Sequence, residues 1–422
     1  MNFISTQNPN EKVSFKTAVI QGLAKNKALF VPENIPSLPK EFFDTITQLS
    51  KEEIAESVLK PFIGEEINSF DLQQIIKETI NFEIPVKHIK DNVYVLELFH
   101  GPTQAFKDVG ARFMSRCLSY FIDDNQKVTI LVATSGDTGS AVANGFFNVK
   151  GINVIILFPK GKVSAFQEFQ MTSLGKNIKA LEIDGTFDDC QALVKQAFSD
   201  EKLNEIYNLS SANSINLARL LPQMIYYFLA YQQIKKFSNK DIVVSVPSGN
   251  LGNITAGIVA KKMGLPIKRF VAAANDNRSF TDYLENGNYI PKASIQTFSN
   301  AMDVGNPSNF ERLLHIYNNN KNKMNEDIHS YSYTNEETLE EMIKTFAEKK
   351  YILDPHGAVG KLALEKDLKM NEIGLFLETA HPNKFEDIVK KAIPDFPIPS
   401  VDLSNCTKIS IGNKYEELVT NL

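Results

Sequence analysis

A lysine stands on the wrong side of a helix. In AFKDVGARFMSRCLSYFIDD (105–124), Asp108, Arg112, Ser115, Arg116, Ser119 and Asp123 recur at helical spacing and predict a solvent-facing stripe. Lys107 lies off that stripe, on the side of Ala111, Met114 and Leu118. Two readings stay open. Either the stem packs on the core while the ammonium reaches water, or burial lowers the amine pKa toward a Schiff-base nucleophile or a base. The preceding HGPT (100–103), read as a turn, would bring His100, Thr103 and Lys107 to one cleft.

Two glycine loops offer anion sites. PSGNLGN (247–253) follows the strand-like DIVVSV and precedes ITAGIVAKKMG, a helical pattern. Strand, glycine-rich turn and helix N-terminus together cradle phosphate through free backbone N–H groups and the positive end of the helix dipole. No GK[ST] follows, the G-x-G-x-x-G pattern is absent, and no acidic residue stands at the ribose distance. The loop therefore suggests an isolated phosphate, with a plain strand-to-helix turn as the alternative. ATSGDTGSA repeats the arrangement after VTILV, where Ser135, the Gly136 amide and Thr138 offer donors to a small anion such as a carboxylate. SANSINLARL (211–220) gathers Asn213, Ser214, Asn216 and Arg219. It reads either as a capped helix start with an exposed arginine or as a second anion site with a bidentate guanidinium.

Other chemistry is less promising. The histidines at 88, 100, 315, 329, 356 and 381 show no HExxH or paired-ligand spacing, so no zinc or other metal site is expected. The pairs Asp123–Asp124 and Asp188–Asp189 read as solvated surface charges, and no GxSxG elbow occurs.

The elements that must position these groups alternate in type. From Val93 onward, VYVLELF, VTILVAT, VIILFP, KALEID, DIVVSVP, RFVAAAN and GLFLET are short apolar runs separated by helical patterns. Such runs suit strands buried on both faces of a parallel sheet. Several end in small-residue loops, TSGDTG, PSGNLGN and TAHP, and open α/β sheets bind ligands beyond the carboxyl ends of their strands. The first ninety or so residues read as helical and polar, with Ser50 and Glu53 as a capping box. YNNNKNKMNEDIH (317–329) reads as a surface loop or helix end.

Composition sets the outer bounds. A chain of 422 residues, 43% hydrophobic and 23% charged, suits two or three globular domains. Its formal charge of −5, without a long basic run, argues against nucleic acid. Cys117, Cys190 and Cys406 are widely spaced, which fits reduced thiols in the cytoplasm. MNFISTQNPNEKVSF carries no signal or transit pattern. No apolar run approaches the ~20 residues of a membrane span.

ELFHGPTQAFKD, ATSGDTG, SANSINLAR, VPSGNLGN, SNAMDVGNPSN and TAHPNKF, in this order, closely resemble the threonine synthase family. The likeness is to its longer bacterial and fungal form, among the fold-type-II pyridoxal-phosphate enzymes. It extends to NEKVSFKTAVIQGLAKNKALFVP at the N-terminus and so covers nearly the whole chain. The resemblance implies an α/β, tryptophan synthase β-like fold: two parallel-rich open sheets flanked by helices, with a helical N-terminal extension. The expected division is an extension over 1–90, a domain over 91–235 carrying Lys107, SGDTG and SANSINLAR, and a domain over 236–422 carrying PSGNLGN and TAHPNKF.

The same resemblance implies site roles. Lys107 would be the catalytic residue and bind pyridoxal 5′-phosphate covalently. Ser248, Gly249, Asn250, Leu251, Gly252 and Asn253 would hold the cofactor phosphate. Ser135, Gly136, Asp137 and Thr138 match the loop facing the cofactor ring and the substrate carboxylate, with Thr103 a further substrate contact. Many relatives in the wider fold type carry Asn where this chain has Asp137, which leaves its contact to the cofactor open. Thr379 matches the hydroxyl that meets the pyridine nitrogen. Ser214, Asn216 and Arg219 match the segment contacting the substrate phosphate, with Lys384 as another candidate.

The implied reaction is a β,γ-replacement, the last step of threonine biosynthesis. O-phospho-L-homoserine and water give L-threonine and phosphate, in a cytoplasmic monomer that binds neither nucleic acid nor membrane. The enzyme alternative is another fold-type-II lyase, such as a serine/threonine dehydratase or a phospho-lyase. The other is a non-catalytic relative that binds a phosphorylated ligand.

Overall fold

The computed structural model describes residues 1–25, 27–123, 127–397 and 399–422; Asp124, one of the paired aspartates, lies outside them. Near the N-terminus Phe3–Ser5 (β1), Lys12–Val13 (β2) and Phe30–Pro32 (β3) form an antiparallel sheet in the order β2-β1-β3. The expectation of a helical first ninety residues is corrected to this extent. Runs of two or three residues are too short for periodicity to reveal. The helices Lys51–Ile63 and Ser69–Thr79 are present, and Ser50 and Glu53 cap the first reciprocally at 3.2 and 2.7 Å. Phe3, Phe15 and Phe30 are fully buried. Each such side chain contributes ~1.5–3 kcal/mol to holding the extension in place.

The remaining strands are Val86–Lys90 (β4), Val93–Glu97 (β5), Val128–Ala133 (β6), Ile152–Pro159 (β7), Ile178–Ile183 (β8), Leu209–Ser210 (β9), Ile242–Pro247 (β10), Ile267–Ala274 (β11), Ile328–Ser332 (β12), Ile373–Glu378 (β13) and Ile409–Ile411 (β14). They build two sheets. One has the order β12-β11-β10-β13-β5-β4 and is parallel apart from the antiparallel edge strand β4. The other is parallel throughout, in the order β14-β8-β7-β6-β9. All seven apolar runs appear as strands, and β6 and β13 are buried at every position, as a sheet covered on both faces requires.

The expected boundary near residue 235 does not follow these sheets. β5 pairs with β13, and β14 crosses back to pair with β8, so each sheet draws on both halves of the chain. Strand pairing at such separations has no local signal. The segment 317–329 is likewise corrected. It holds the helix Lys321–Asp327 and the first residues of β12, whose short IHSYS run mixes polar and apolar residues on an edge.

The predicted solvent stripe of the helix Lys107–Phe121 is partly wrong. Asp108 and Ser115 are buried: the Thr103 N–H and hydroxyl close over the Asp108 carboxylate, and Ser115 Oγ donates to the Arg112 carbonyl and accepts from Arg116 Nη1. Arg112 Nε donates to the Glu78 carbonyl at 2.9 Å, and Arg116 Nε to the Glu78 carboxylate at 3.1 Å. Polar spacing revealed a helix face but could not say that another helix, rather than water, covers it.

Candidate active site

Lys107 opens its helix instead of sitting along it. The Phe106 N–H donates to the Thr379 carbonyl at 2.9 Å, and Ala105 bridges Ala380, so the helix start is fastened to the end of β13. From there Lys107 faces a cavity of about 1220 Å³ between the two sheets. Burial lowers its amine pKa; the Asp137 carboxylate opposes this, while the Lys384 and Arg219 cations reinforce it.

The glycine loop leads from β10 into the helix Gly252–Lys262, and Gly249 through Asn253 all line the cavity. The first N–H groups of a helix have no partner within it, so these amides are available to an anion. Gly249 has a steric reason: a Cβ there would come within 2.7 Å of Met302 Cα and 3.0 Å of the Ala301 carbonyl oxygen. Asn250 ties the loop down, donating to Ser214 Oγ at 2.7 Å and accepting from the Ser308 N–H at 2.6 Å. Asn253 accepts from the Tyr227 hydroxyl, while its buried Nδ2 has no partner. A buried donor without an acceptor is costly. Beside the helix N-terminus it fits the phosphate of a bound cofactor. Ser248 is a correction, because its hydroxyl donates to the Val246 carbonyl at 2.7 Å and it does not line the cavity.

The loop after β6 contributes Ser135, Asp137 and Thr138 to the cavity wall. Gly136 does not take part as expected, since its N–H donates to Thr134 Oγ1 at 2.9 Å. Asp137 Oδ2 lies 3.7 Å from Lys107 Nζ, and its Oδ1 accepts from Gln167 Nε2 at 3.0 Å. Burial alone would raise the Asp137 pKa, but the Lys384 and Lys107 ammonium groups outweigh it and hold the carboxyl well below the usual range.

Arg219 is buried, not exposed, and lines the same cavity. Its Nη1 donates to the Ala212 carbonyl, its buried Nε has no partner, and burial lowers its pKa to about 10. Ser214 also lines the cavity, its oxygen accepting from Asn250 and, at 3.3 Å, from Asn309 Nδ2.

Several expected residues turn away. Asn216 caps the helix Leu217–Leu220, with its Oδ1 taking the Ala218 N–H and its Nδ2 donating to the Val19 carbonyl at 2.9 Å. Both its polar atoms are engaged in the fold, and it does not line the cavity. Thr103 is buried, with its hydroxyl on Asp108 at 2.5 Å. His100 pairs with Glu97 at 2.7 Å, away from the cavity. Lys384 is fully buried and faces Asp137 rather than the cavity. Thr379 lies on the cavity wall.

Two cavity residues were assigned no role from the sequence, although Asp303 lies within the SNAMDVGNPSN motif. His356 Nδ1 meets Asp354 Oδ1 at 2.5 Å, and its Nε2 accepts from the Ala301 N–H at 3.2 Å. Asp303 gathers Thr297 and Asn275 donors, and burial raises its pKa to about 6 despite them. DPHGA does read as a helix start, since Asp354 is an N-cap and Pro355 follows it. Nothing in it indicates a site.

The family model described as pyridoxal-phosphate dependent enzyme matches residues 74–374, and that described as threonine synthase N terminus matches residues 2–80. The threonine synthase of Haemophilus influenzae is 45% identical over 400 residues, covering 94% of this chain and 93% of that one. This chain belongs to the threonine synthase family. The crystal structure of the Escherichia coli threonine synthase superposes with a TM-score of 0.92 at 40% identity, covering 100% of this chain and 99% of that one. The structure of a PLP-bound threonine synthase from Brucella melitensis gives 0.94 at 34% identity, covering 100% and 98%. Fold type II, the pyridoxal-phosphate cofactor and the lyase class follow from membership of this family. Among the described residues, no helix is long and apolar enough to cross a membrane.

Proposed function

We propose that the protein converts O-phospho-L-homoserine and water to L-threonine and phosphate, with pyridoxal 5′-phosphate held at Lys107. One observation carries the reading. A single cavity brings together a lysine amine of lowered pKa, a helix N-terminus with an unpartnered amide donor, and a buried arginine.

The cofactor supplies an electron sink for carbanion chemistry at the substrate's α- and β-carbons. Lys107 Nζ would be its attachment point and is the group placed to take the proton from Cα and move a proton at Cβ. Amides of Gly249 to Asn253, with Asn253 Nδ2, would hold the cofactor phosphate. Thr379, on the cavity wall, would face the cofactor ring. Ser135 and Thr138 hold the substrate carboxylate at the N-terminus of the helix Asp137–Phe146, where the helix dipole favours an anion. Arg219 and Ser214 hold the substrate phosphate as it leaves Cγ, after which water adds at Cβ.

The domain division we favour follows the two sheets and not the boundaries expected from sequence. A cytoplasmic location is supported by the free thiols of Cys117, Cys190 and Cys406. Incubation with O-phospho-L-homoserine should release phosphate and threonine in equal amounts. Phosphate with 2-oxobutyrate and no threonine would assign an eliminating lyase instead.

A further inference from the structure

We propose that Lys384 is a positioning residue that neutralises Asp137 and so leaves Lys107 a free amine instead of that carboxylate's ammonium partner. The inference rests on the reading of Lys107 as the reactive amine. Lys384 follows β13 of the six-stranded sheet. Its Nζ donates to the Thr103 carbonyl at 2.7 Å, to Gln170 Oε1 at 2.9 Å, and lies 3.1 Å from Asp137 Oδ1. Two of the ammonium's three donors are thus bonded within the protein, and its charge is paired with Asp137 and turned away from the cavity. Asp137 and Gln170 stand on helices of the other sheet, so the ammonium joins the two sheets directly behind the cavity.

Asp137 has two cations to share. Lys384 is the nearer, with Gln167 on the same oxygen, and Lys107 is the farther at 3.7 Å. Were Lys107 its sole cation, a buried carboxylate would hold the amine protonated, and a protonated amine neither attacks a carbonyl carbon nor accepts a proton. Lys384 removes that demand while leaving Asp137 in place to orient the lysine. The other charged groups facing this pair are Arg219, whose cation also disfavours a second ammonium, and His356 on the Asp137 side. Asp108, next along the Lys107 helix, is buried with its pKa raised, and Thr103 is bonded to it. The Lys384 charge lowers the pKa of both Lys107 and Asp137, in keeping with the geometry.

The test compares the full-length wild type with Lys384→Met, Lys384→Arg, Asp137→Asn and the double variant Asp137→Asn/Lys384→Met. Two quantities are read against pH: kcat/KM, and the rate at which an acylating reagent labels Lys107 in cofactor-stripped protein, followed by peptide mass mapping. Lys384→Met should move the acid limb and the labelling midpoint up by about one pH unit. Lys384→Arg should leave both near wild type. If Lys384→Met does not fold, the double variant should still label with a midpoint about one pH unit above Asp137→Asn alone. Unmoved midpoints would overturn the proposal. So would an unshifted limb with a raised KM and weakened inhibition by inorganic phosphate, which would make Lys384 a substrate ligand. Absence of threonine formation by wild type, with the labelling shifts intact, would instead overturn the reading of the reaction.

Discussion

Replacing Arg219 by alanine asks whether this arginine holds the departing phosphate. Its Nη1 is committed to the Ala212 carbonyl and its Nε is buried without a partner, so about two charge-assisted bonds remain for a ligand. At ~1.5–3 kcal/mol each, their loss is ~3–6 kcal/mol, and water entering the shortened site recovers part of it. A net ~3 kcal/mol corresponds to a roughly 100-fold fall in kcat/KM for O-phospho-L-homoserine. Arg219→Lys should recover only part, since a point charge does not reproduce the guanidinium fork. Stability should fall as well. A Cβ on Gly110 would lie 3.0 Å from Arg219 Nε, so the side chain packs directly on the Lys107 helix, and its loss also leaves the Ala212 carbonyl unpaired. That cost is ~1–3 kcal/mol, read as a lowered Tm. The deciding assay is competitive inhibition by inorganic phosphate, measured on folded protein that has kept its cofactor band. Equal inhibition constants in wild type and Arg219→Ala would refute the assignment and leave Arg219 as a packing residue.

Lys107→Ala should fold, retain no borohydride-reducible cofactor adduct, and form no threonine; peptide mapping of reduced wild type should place the adduct on Lys107. Gly249→Ala would press its methyl against the Met302 backbone, which cannot swing aside as a side chain could. An overpacking cost of ~1–3 kcal/mol should then appear as roughly 10- to 100-fold weaker cofactor binding in a fluorescence titration. Asp303 is raised by burial from 3.8 to about 6, so the folded state holds its proton more tightly than the unfolded chain. Stability should therefore fall by ~2–3 kcal/mol as pH rises from about 4 to 6. Asp303→Asn should remove that contribution from the difference between denaturation curves at the two ends of the window; an unchanged difference would show that Asp303 does not titrate there.

The strands that carry the chemistry were legible because burial on both faces demands unbroken apolar runs, and because each active loop begins where such a run stops. The reactive lysine was legible as a residue out of pattern, and the phosphate loop as glycines between a strand and a helix. These are local properties, with periods and spacings of a few residues. What the sequence by itself did not determine was which polar groups meet. Asp108 and Ser115 looked exposed, yet both are buried, with Thr103 closing over the Asp108 carboxylate. Ser248, Gly136, Thr103 and Asn216 have the right chemistry, but backbone carbonyls (for Ser248 and Asn216) and side chains (Thr134 for Gly136, Asp108 for Thr103) take up their donors. Lys384 and Asp137 lie 247 positions apart in the chain, yet only 3.1 Å apart in space. His356, in the first turn of a helix, and Asp303, on a loop, reach the cavity without a local chemical signal of their own. Spacing along a chain fixes which side of one helix or strand a residue occupies. Only the packing of two sheets against each other decides whether that side meets water, a backbone carbonyl or an opposite charge, and hence which of the candidate groups is left free to act.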